Sequence, residues 1–557
     1  MPFSRSLRHA ASVPLTLVLL ASFLSPAAQA TTTAQPMSTA QPTAVRTAAA
    51  PFTGTTPAGE VRGYLDAHTH LMAYEAFGGS LMCGKPFDPR GIQEALRDCP
   101  DHAGNGAFAW WENFTRHGTP FGNHDPAGWP TFKDWPAWDS RTHQQAHYTW
   151  LERSWRAGQR ILVNHLVANR QLCEIYPLKR NACDEMDVVR LQAQRMREME
   201  EGIDRRSGGP GKGWFRIVRD SAEAREVIED GKLAVVLGVE ASEPFGCRRI
   251  GDGSQCTRQD IDRGLDEMKR LGVSSMFVCH KFDNALCGVR FDGGTTGAFI
   301  NAGNFLGTGR FWQVEKCTGP ARDNTLLPAG GIGDSLKDLL RLLGQAGVTL
   351  PLYPSPPHCN VRGLTDLGEH MVRGMMERNM IVEVDHMSAK AADETLGLLE
   401  DARYSGVISS HSWTDETYLP RIYRLGGMVT GYGHAGNGFI AEWKRNKELR
   451  DPGRAFGYGY GLDANGMGAL PPPRENSDAN PLRYPYTSPF DASVRLDRQR
   501  TGTRTWDLNT EGVANYGLVP DWLADIGNLG GQEIIDDLAR GAETYLGMWH
   551  RTETHGT

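Results

Sequence analysis

Eight short apolar runs recur along the chain, each followed by a longer segment that often carries helical periodicity. They lie at 63–68, 160–165, 233–240, 274–280, 380–386, 406–411, 427–432 and 456–463. Short buried strands alternating with helices predict a parallel sheet, and eight of them predict a closed (β/α)8 barrel of the TIM type in the α/β class. Before the fifth run, Leu364, Leu367, Met371, Val372, Met375 and Met376 repeat at the three-four spacing of one buried helix face. A methionine-rich stripe of this kind reads as core packing on a barrel rather than as a ligand box. Ser388 is the expected N-cap of a helix over 388–402. No repeat of 20–50 residues is evident, which excludes solenoids and propellers.

Polar residues fall where these runs stop. His68, His165, Glu240, His280, His386 and His411 end six of them, and the eighth reaches Asp463. A barrel builds its active site at the C-terminal mouth of its strands, so these side chains should converge there. His68 and His70, two apart in an extended chain, project to one face and could reach one metal ion. Glu240 closes a run with no other charge after Lys232, and a carboxylate at the end of a buried strand needs a cation or an arginine. Glu383 and Asp385 share a face of the fifth run. His143 and His147 stand at helix spacing and read as a solvated helix face.

The ends of the chain and its cysteines bear on the compartment. Arg5 and Arg8, an apolar run over 13–24 and Ala28-Gln29-Ala30 have the three parts of a secretory signal peptide cut near Ala30. That run is too short for a membrane span of about 20 residues, and no second one follows. Residues 31–57, mostly Thr, Ala and Pro, read as a disordered tether, leaving 58–557 as one catalytic-size domain. Ten cysteines fit an oxidising compartment, with Cys83/Cys99, Cys173/Cys183 and Cys247/Cys256 as close pairs. Among Cys279, Cys287, Cys317 and Cys359 the expected bond is Cys287–Cys317. The expectation is thus a secreted protein with no integral membrane span. A net charge of −7 over 557 residues and the absence of a Lys/Arg block argue against nucleic acid or an anionic membrane as partner. At 40% hydrophobic and 22% charged residues the chain is of globular rather than disordered type.

Two insertions follow strands at the expected mouth, 71–160 with half of the 14 tryptophans and 288–333 rich in Gly and Asn. They are read as a lid or aromatic subsite, or as a satellite core stapled by Cys83–Cys99. Arg421 and Arg424 could hold a substrate carboxylate, or could be exposed helix arginines. No Gly-x-Ser-x-Gly elbow is present, and the glycines of 329–333 lack the Lys-Ser/Thr of a P-loop.

The segments 380–388, 406–412 and 426–430, with Val239-Glu240, Cys279-His280, Asn284-Ala285-Leu286 and Asp463-Ala464-Asn465-Gly466 in that order, resemble the renal (membrane) dipeptidase family of metallopeptidases in the amidohydrolase superfamily. The resemblance covers most of 60–470. It implies two divalent metal ions, usually Zn2+, bridged by Glu240. His68 and His70 would complete one ion, and His386 and His411 the other. It also implies Asp463 as proton shuttle and His280 against the scissile carbonyl. The family has His-x-Asp where this chain has His68-x-His70. The implied function is a dipeptidase acting on a small peptide. The alternatives are hydrolysis of lactones, cyclic amides or phosphotriesters, and a non-catalytic secreted metal-binding protein. A homodimer is compatible with the sequence.

Overall fold

The computed structural model describes residues 54–326 and 351–556, apart from 57, 98, 100–105, 118–121 and 123. The leader, nearly all of the tether and the glycines of 329–333 lie outside the described residues. Ten parallel strands form one sheet. They are β1 (Tyr64–Thr69), β2 (Gln159–Ala168), β3 (Phe215–Val218), β4 (Leu233–Ala241) and β5 (Val273–Phe277), then β6 (Ile381–Glu383), β7 (Val407–Ser409), β8 (Met428–Val429), β9 (Gly431–Tyr432) and β10 (Tyr460–Gly461). Each of the eight apolar runs contains strand. The short β3, without a counterpart among those runs, lies against the first half of β4, and β5 takes over pairing from Leu237 onward.

Pairing proceeds β8-β7-β6-β5-β4-β2-β1-β10-β9. Thr430 alone separates β8 from β9. Its N–H donates to Ser409 O at 3.0 Å, and Gly431 N–H donates to Gly459 O at 3.1 Å. The seventh strand of the barrel therefore passes from one neighbour to the other, which brings the two edges of the sheet together. The result is a nearly closed TIM-type barrel flanked by helices.

Strand alternation divides each inner face by height. Ile161 and Val163 precede His165, Ala234 and Val236 precede Glu240, and Ile381 precedes Glu383, at two-residue spacing. The apolar members form one cluster with Ile408, Met428 and the helix that ends the chain (Gly541–Glu553), through Ala542, Tyr545, Leu546, Met548 and Trp549. Hydrophobic burial fills the lower barrel and leaves the polar members at the upper end. The methionine stripe lies on the helix Asp366–Glu377 with Met371, Val372 and Met375 buried, so it is core. Ser388 caps the helix Ala389–Ala402, its hydroxyl accepting from Ala391 N–H at 3.0 Å.

All ten cysteines are bonded: Cys83–Cys99, Cys173–Cys183, Cys247–Cys256, Cys279–Cys287 and Cys317–Cys359. The expected Cys287–Cys317 bond is not formed. Cys287 instead closes the tight loop that leaves β5, while Cys317 and Cys359 follow or lie in the antiparallel pair Val314–Lys316 and His358–Asn360. Among the described residues no helix is long and apolar enough to cross a membrane.

The tryptophan-rich insertion is both satellite core and cover. Trp135 and Trp150 are fully buried. Trp111 and Phe114, on the helix Trp110–His117, meet Phe299 of the second insertion at ring distances of 6.0 and 5.7 Å. Trp111 also donates to Met467 O beyond β10 at 2.9 Å. His143 and His147 are buried rather than on a solvated helix face, because His147 is the N-cap of the helix Tyr148–Arg156 and His143 precedes that helix, stacked on Trp135.

Candidate metal centre

Glu240, at the end of β4, is 2% exposed and lies between two groups of imidazoles. Its Oε2 is 3.1 Å from His70 Nε2 and 3.6 Å from His68 Nε2. Its Oε1 is 3.3 Å from both His280 Nε2 and His386 Nε2. Within each group the rings face each other: the Nε2 atoms of His68 and His70 are 3.0 Å apart, as are those of His386 and His411. Asp463 Oδ1 adds a second oxygen to the first group, 3.1 Å from His70 Nε2. His68, His70, Glu240, His280, His386, His411 and Asp463, far apart in the chain, thus meet at one place.

Spacing and chemistry fit divalent cations. Two donors bonded to one zinc at about 2.0–2.1 Å and near the tetrahedral angle stand roughly 3.3 Å apart. The separations of 3.0 to 3.3 Å across each group match that edge. Glu240 Oε1 is buried without a hydrogen bond. A charged oxygen left so would be costly unless a cation completes it. His68, His70 and Glu240 could hold one ion, and Glu240 with His386 and either His411 or His280 a second.

The far side of most of these rings is fixed. His70 Nδ1 donates to His165 O at 2.9 Å, His68 Nδ1 meets Ser410 Oγ at 3.0 Å, and His411 Nδ1 meets Asp385 Oδ2 at 2.8 Å. Such contacts hold Nε2 toward the centre and set the tautomer. Asp385 in turn accepts from Ser409 Oγ, His411 N–H and Trp413 N–H. His68 stacks between His411 and His165 at ring distances of 4.0 and 4.5 Å. Gly461 leaves room for that column, since a Cβ there would come within 2.9 Å of both His68 and His411 side chains. Phe277, at the end of β5, forms an apolar floor within 6.2 Å of His68, His165, His386 and His411.

The loop after β10 is tied to β1. Asp463 N–H donates to His68 O and His70 N–H donates to Ala464 O, both at 2.9 Å. Left-handed backbone at His386 (φ 66°), Ser412 (55°), Asp463 (52°) and Asn465 (67°) concentrates at this mouth. Non-glycine residues adopt that conformation at a cost, and such strain gathers where side chains must be aimed.

Burial and neighbouring charge divide the titrating groups. Burial pushes His68 and His280 down to about 3, and His386 well below the usual imidazole value. Burial also opposes charge on His70, but Asp463 and Glu240 outweigh it and lift His70 to about 10. Asp385 likewise overcomes burial to raise His411. Against burial, the imidazoles hold Glu240 well below the carboxylate range, and His70 lowers Asp463. Glu240, Asp463 and Asp385 are thus all held toward the ionised form. Cations entering among them would displace protons from the imidazoles.

His165 and Glu383 support the centre from below. His165 lies inside β2 rather than at its end, and its Nε2 meets Glu383 Oε1 at 3.1 Å. Burial lowers His165 to about 3 and raises Glu383 to about 8. Arg421 and Arg424 are not brought to the centre. Both sit on the outer face of the helix Leu419–Leu425, whose Leu419, Ile422 and Tyr423 are buried, and Arg421 pairs with Glu400 and Asp393. One cation lies closer: Lys281 follows His280 and stands 5.2 Å from the Trp413 ring centre. Alternation already sets Glu383 on one face with Asp385; nothing in the apolar pattern marks Lys281.

Fold and site together define a parallel α/β barrel with a histidine- and carboxylate-lined centre at the strand ends. No family model matches the chain, and no curated protein matches it in sequence. Among solved structures it aligns with an amidohydrolase from Pseudomonas aeruginosa at 12% identity and a TM-score of 0.40, over 73% of this chain and 94% of that one. A dipeptidase described as a metallopeptidase of family M19 aligns at 12% and 0.40, over 74% and 90%. A metallopeptidase from Rhodobacter sphaeroides, liganded with a phosphinate mimic of the dipeptide L-Ala-D-Ala, aligns at 13% and 0.39, over 73% and 90%.

Proposed function

We propose that this chain is an exported hydrolase that uses two divalent cations, Zn2+ by donor chemistry, to cleave the amide bond of a dipeptide. The observation that carries the reading is the Glu240 carboxylate, whose two oxygens face separate groups of imidazole nitrogens at 3.1 to 3.6 Å. In this reading His68 and His70 hold one ion, His386 and His411 the other, and Glu240 both. Bound ions would supply Lewis acidity toward water and the scissile carbonyl. The basic, apolar and small-residue parts of the first thirty residues and the five disulfides support export to an oxidising compartment.

Exposure separates the remaining roles. The side chains of His68, His70, Glu240, His386 and His411 are 0–3% exposed, whereas those of Asp463 and His280 reach 18% and 10%. A group that touches substrate has to be reachable, and these two are. Asp463, kept ionised by His70, accepts the proton of the attacking water and returns it to the leaving amine. His280, held neutral by burial, donates from Nε2 to the oxygen on which charge develops. Replacing His280 by Gln is expected to lower kcat by about 10²–10³, the scale of one lost oxyanion donor. Metal analysis of that variant should still find both ions; loss of one would make His280 a ligand instead.

The test of the whole reading is metal quantification on purified protein joined to a panel of L- and D-dipeptides, lactones, cyclic amides and phosphotriesters. Two ions at this centre with peptide turnover abolished by a chelator are expected. Two bound ions with no peptide turnover would overturn the dipeptidase reading. Lactone, cyclic-amide or phosphotriester turnover would then mark His70, present where the resembled family has Asp, as a change of substrate. Silence across the panel would leave a metal-binding protein.

A further inference from the structure

Outside this centre, and besides His143 with Cys83 and Cys99, whose sulfurs are tied up in a disulfide, one more group of buried donors converges among the described residues. We infer that the tryptophan-rich insertion binds a divalent cation of its own at Glu112, His124 and His143. His124 Nε2 and His143 Nε2 are 3.0 Å apart, and His143 Nε2 is 3.5 Å from Glu112 Oε2. All three donor atoms lie within 4.8 Å of one another. Glu112 and His143 are fully buried and His124 is 9% exposed. The donor set, two imidazoles and one carboxylate, and the 3.0 Å nitrogen spacing repeat those of His68, His70 and Glu240. Nitrogen–oxygen sets of this size suit Zn2+, with three protein donors leaving a position for water.

The surroundings are built for these three side chains. Glu112 is aimed from both sides: Thr142 Oγ1 donates to its Oε2 at 3.0 Å, and Arg116 pairs with its Oε1 at 2.9 Å. The Trp135 ring stacks on His143 at 4.6 Å and 14°, giving the site a dry wall. Gly106 passes the His124 ring with φ +76°, where a Cβ would stand 2.7 Å from it. The three donors come from three separate stretches of a loop-rich segment, the helix Trp110–His117, the chain at 124 and the chain before the helix Tyr148–Arg156. An ion here would staple those stretches as Cys83–Cys99 staples the adjoining one, since Cys83 N–H donates to Thr142 O at 2.7 Å.

The staple also reaches the candidate catalytic loop. Gln144, next to His143, accepts from Asn465 Nδ2 at 2.7 Å, and Gln145 N–H donates to Asn465 Oδ1 at 2.9 Å. Asn465 lies two residues beyond Asp463, so the insertion ion would hold that loop in place without touching substrate.

Crystals of the zinc-loaded full chain, measured at the zinc absorption edge, test the site directly. An anomalous peak between Glu112, His124 and His143 is expected, apart from any at Glu240; no peak there overturns the proposal whatever the occupancy at Glu240. In solution, the double variant Glu112→Gln/His124→Gln should carry one ion fewer per chain than wild type, and Glu240→Gln should retain the insertion ion. A folded double variant with unchanged metal content would equally overturn it.

Discussion

Glu240→Gln is expected to empty the barrel-mouth centre and lower turnover by about 10⁴-fold or more, the scale seen when one member of a cooperating set is lost. The carboxylate is the one group whose two oxygens serve both sets of imidazoles, so its replacement by an amide affects both ions together. The amide presents a neutral NH2 to one side, and four imidazoles without a bridging anion then face two dications. The substitution keeps shape and removes charge, so the fold should survive. Near-UV circular dichroism matching wild type, with metal analysis showing both ions gone, is the expected pair of results. Both ions still bound would refute the assignment of Glu240. His411→Ala should strip metal too, but it also strands buried Asp385, which loses its 2.8 Å partner. An uncompensated buried charge costs about 3–5 kcal/mol, so that variant mixes two effects.

Asp463→Asn is expected to lower kcat by about 10²–10⁴, the usual contribution of a placed acid–base group, with KM changed little. The amide keeps the Asp463 shape and the backbone ties to His68 and Ala464's partner His70, but it cannot accept a proton. Metal content should remain that of wild type, because His68, His70 and Glu240 are intact. Loss of an ion in this variant would show that the Oδ1 atom, 3.1 Å from His70 Nε2, serves as a ligand. Unchanged kcat would remove the proton-shuttle role.

The barrel was legible because its strands are buried on both faces and so read as apolar runs, whose ends coincide with the change from apolar barrel filling to polar mouth. That is why His68, Glu240, His386 and His411 could be brought together from spacing alone. Strand β3 was not legible, since Phe215-Arg216-Ile217-Val218 is a four-residue run with an internal arginine and is buried only at its ends. His165 ends its apolar run, whereas β2 continues three residues beyond it to Ala168. Its true role, stacking on His68 and meeting Glu383, depends on register across strands. The Cys287 pairing depended on loop geometry: Cys287 lies eight positions after Cys279, and the loop returns on itself through Asn284, which donates to Ser242 O and Val278 O. For Arg421, where an anion clamp and an exposed helix arginine were both open, the helix turns the side chain outward to Glu400.

Strand β1 pairs with β10 at Asp66 and Tyr460, so the first and last strands of the barrel are neighbours. Residues at the mouth come from both, with those of β4, β5, β6 and β7 between. On the two-ion reading His411, after β7, is the last ligand to be made, and the barrel that aims it closes only with β10. A ribosome-bound or truncated product lacking the stretch from Tyr460 onward would have every proposed ligand but an open barrel edge, since β1 would keep only its pairing with β2. On that reading, tightly held metal would report completed topology rather than the mere presence of the ligands.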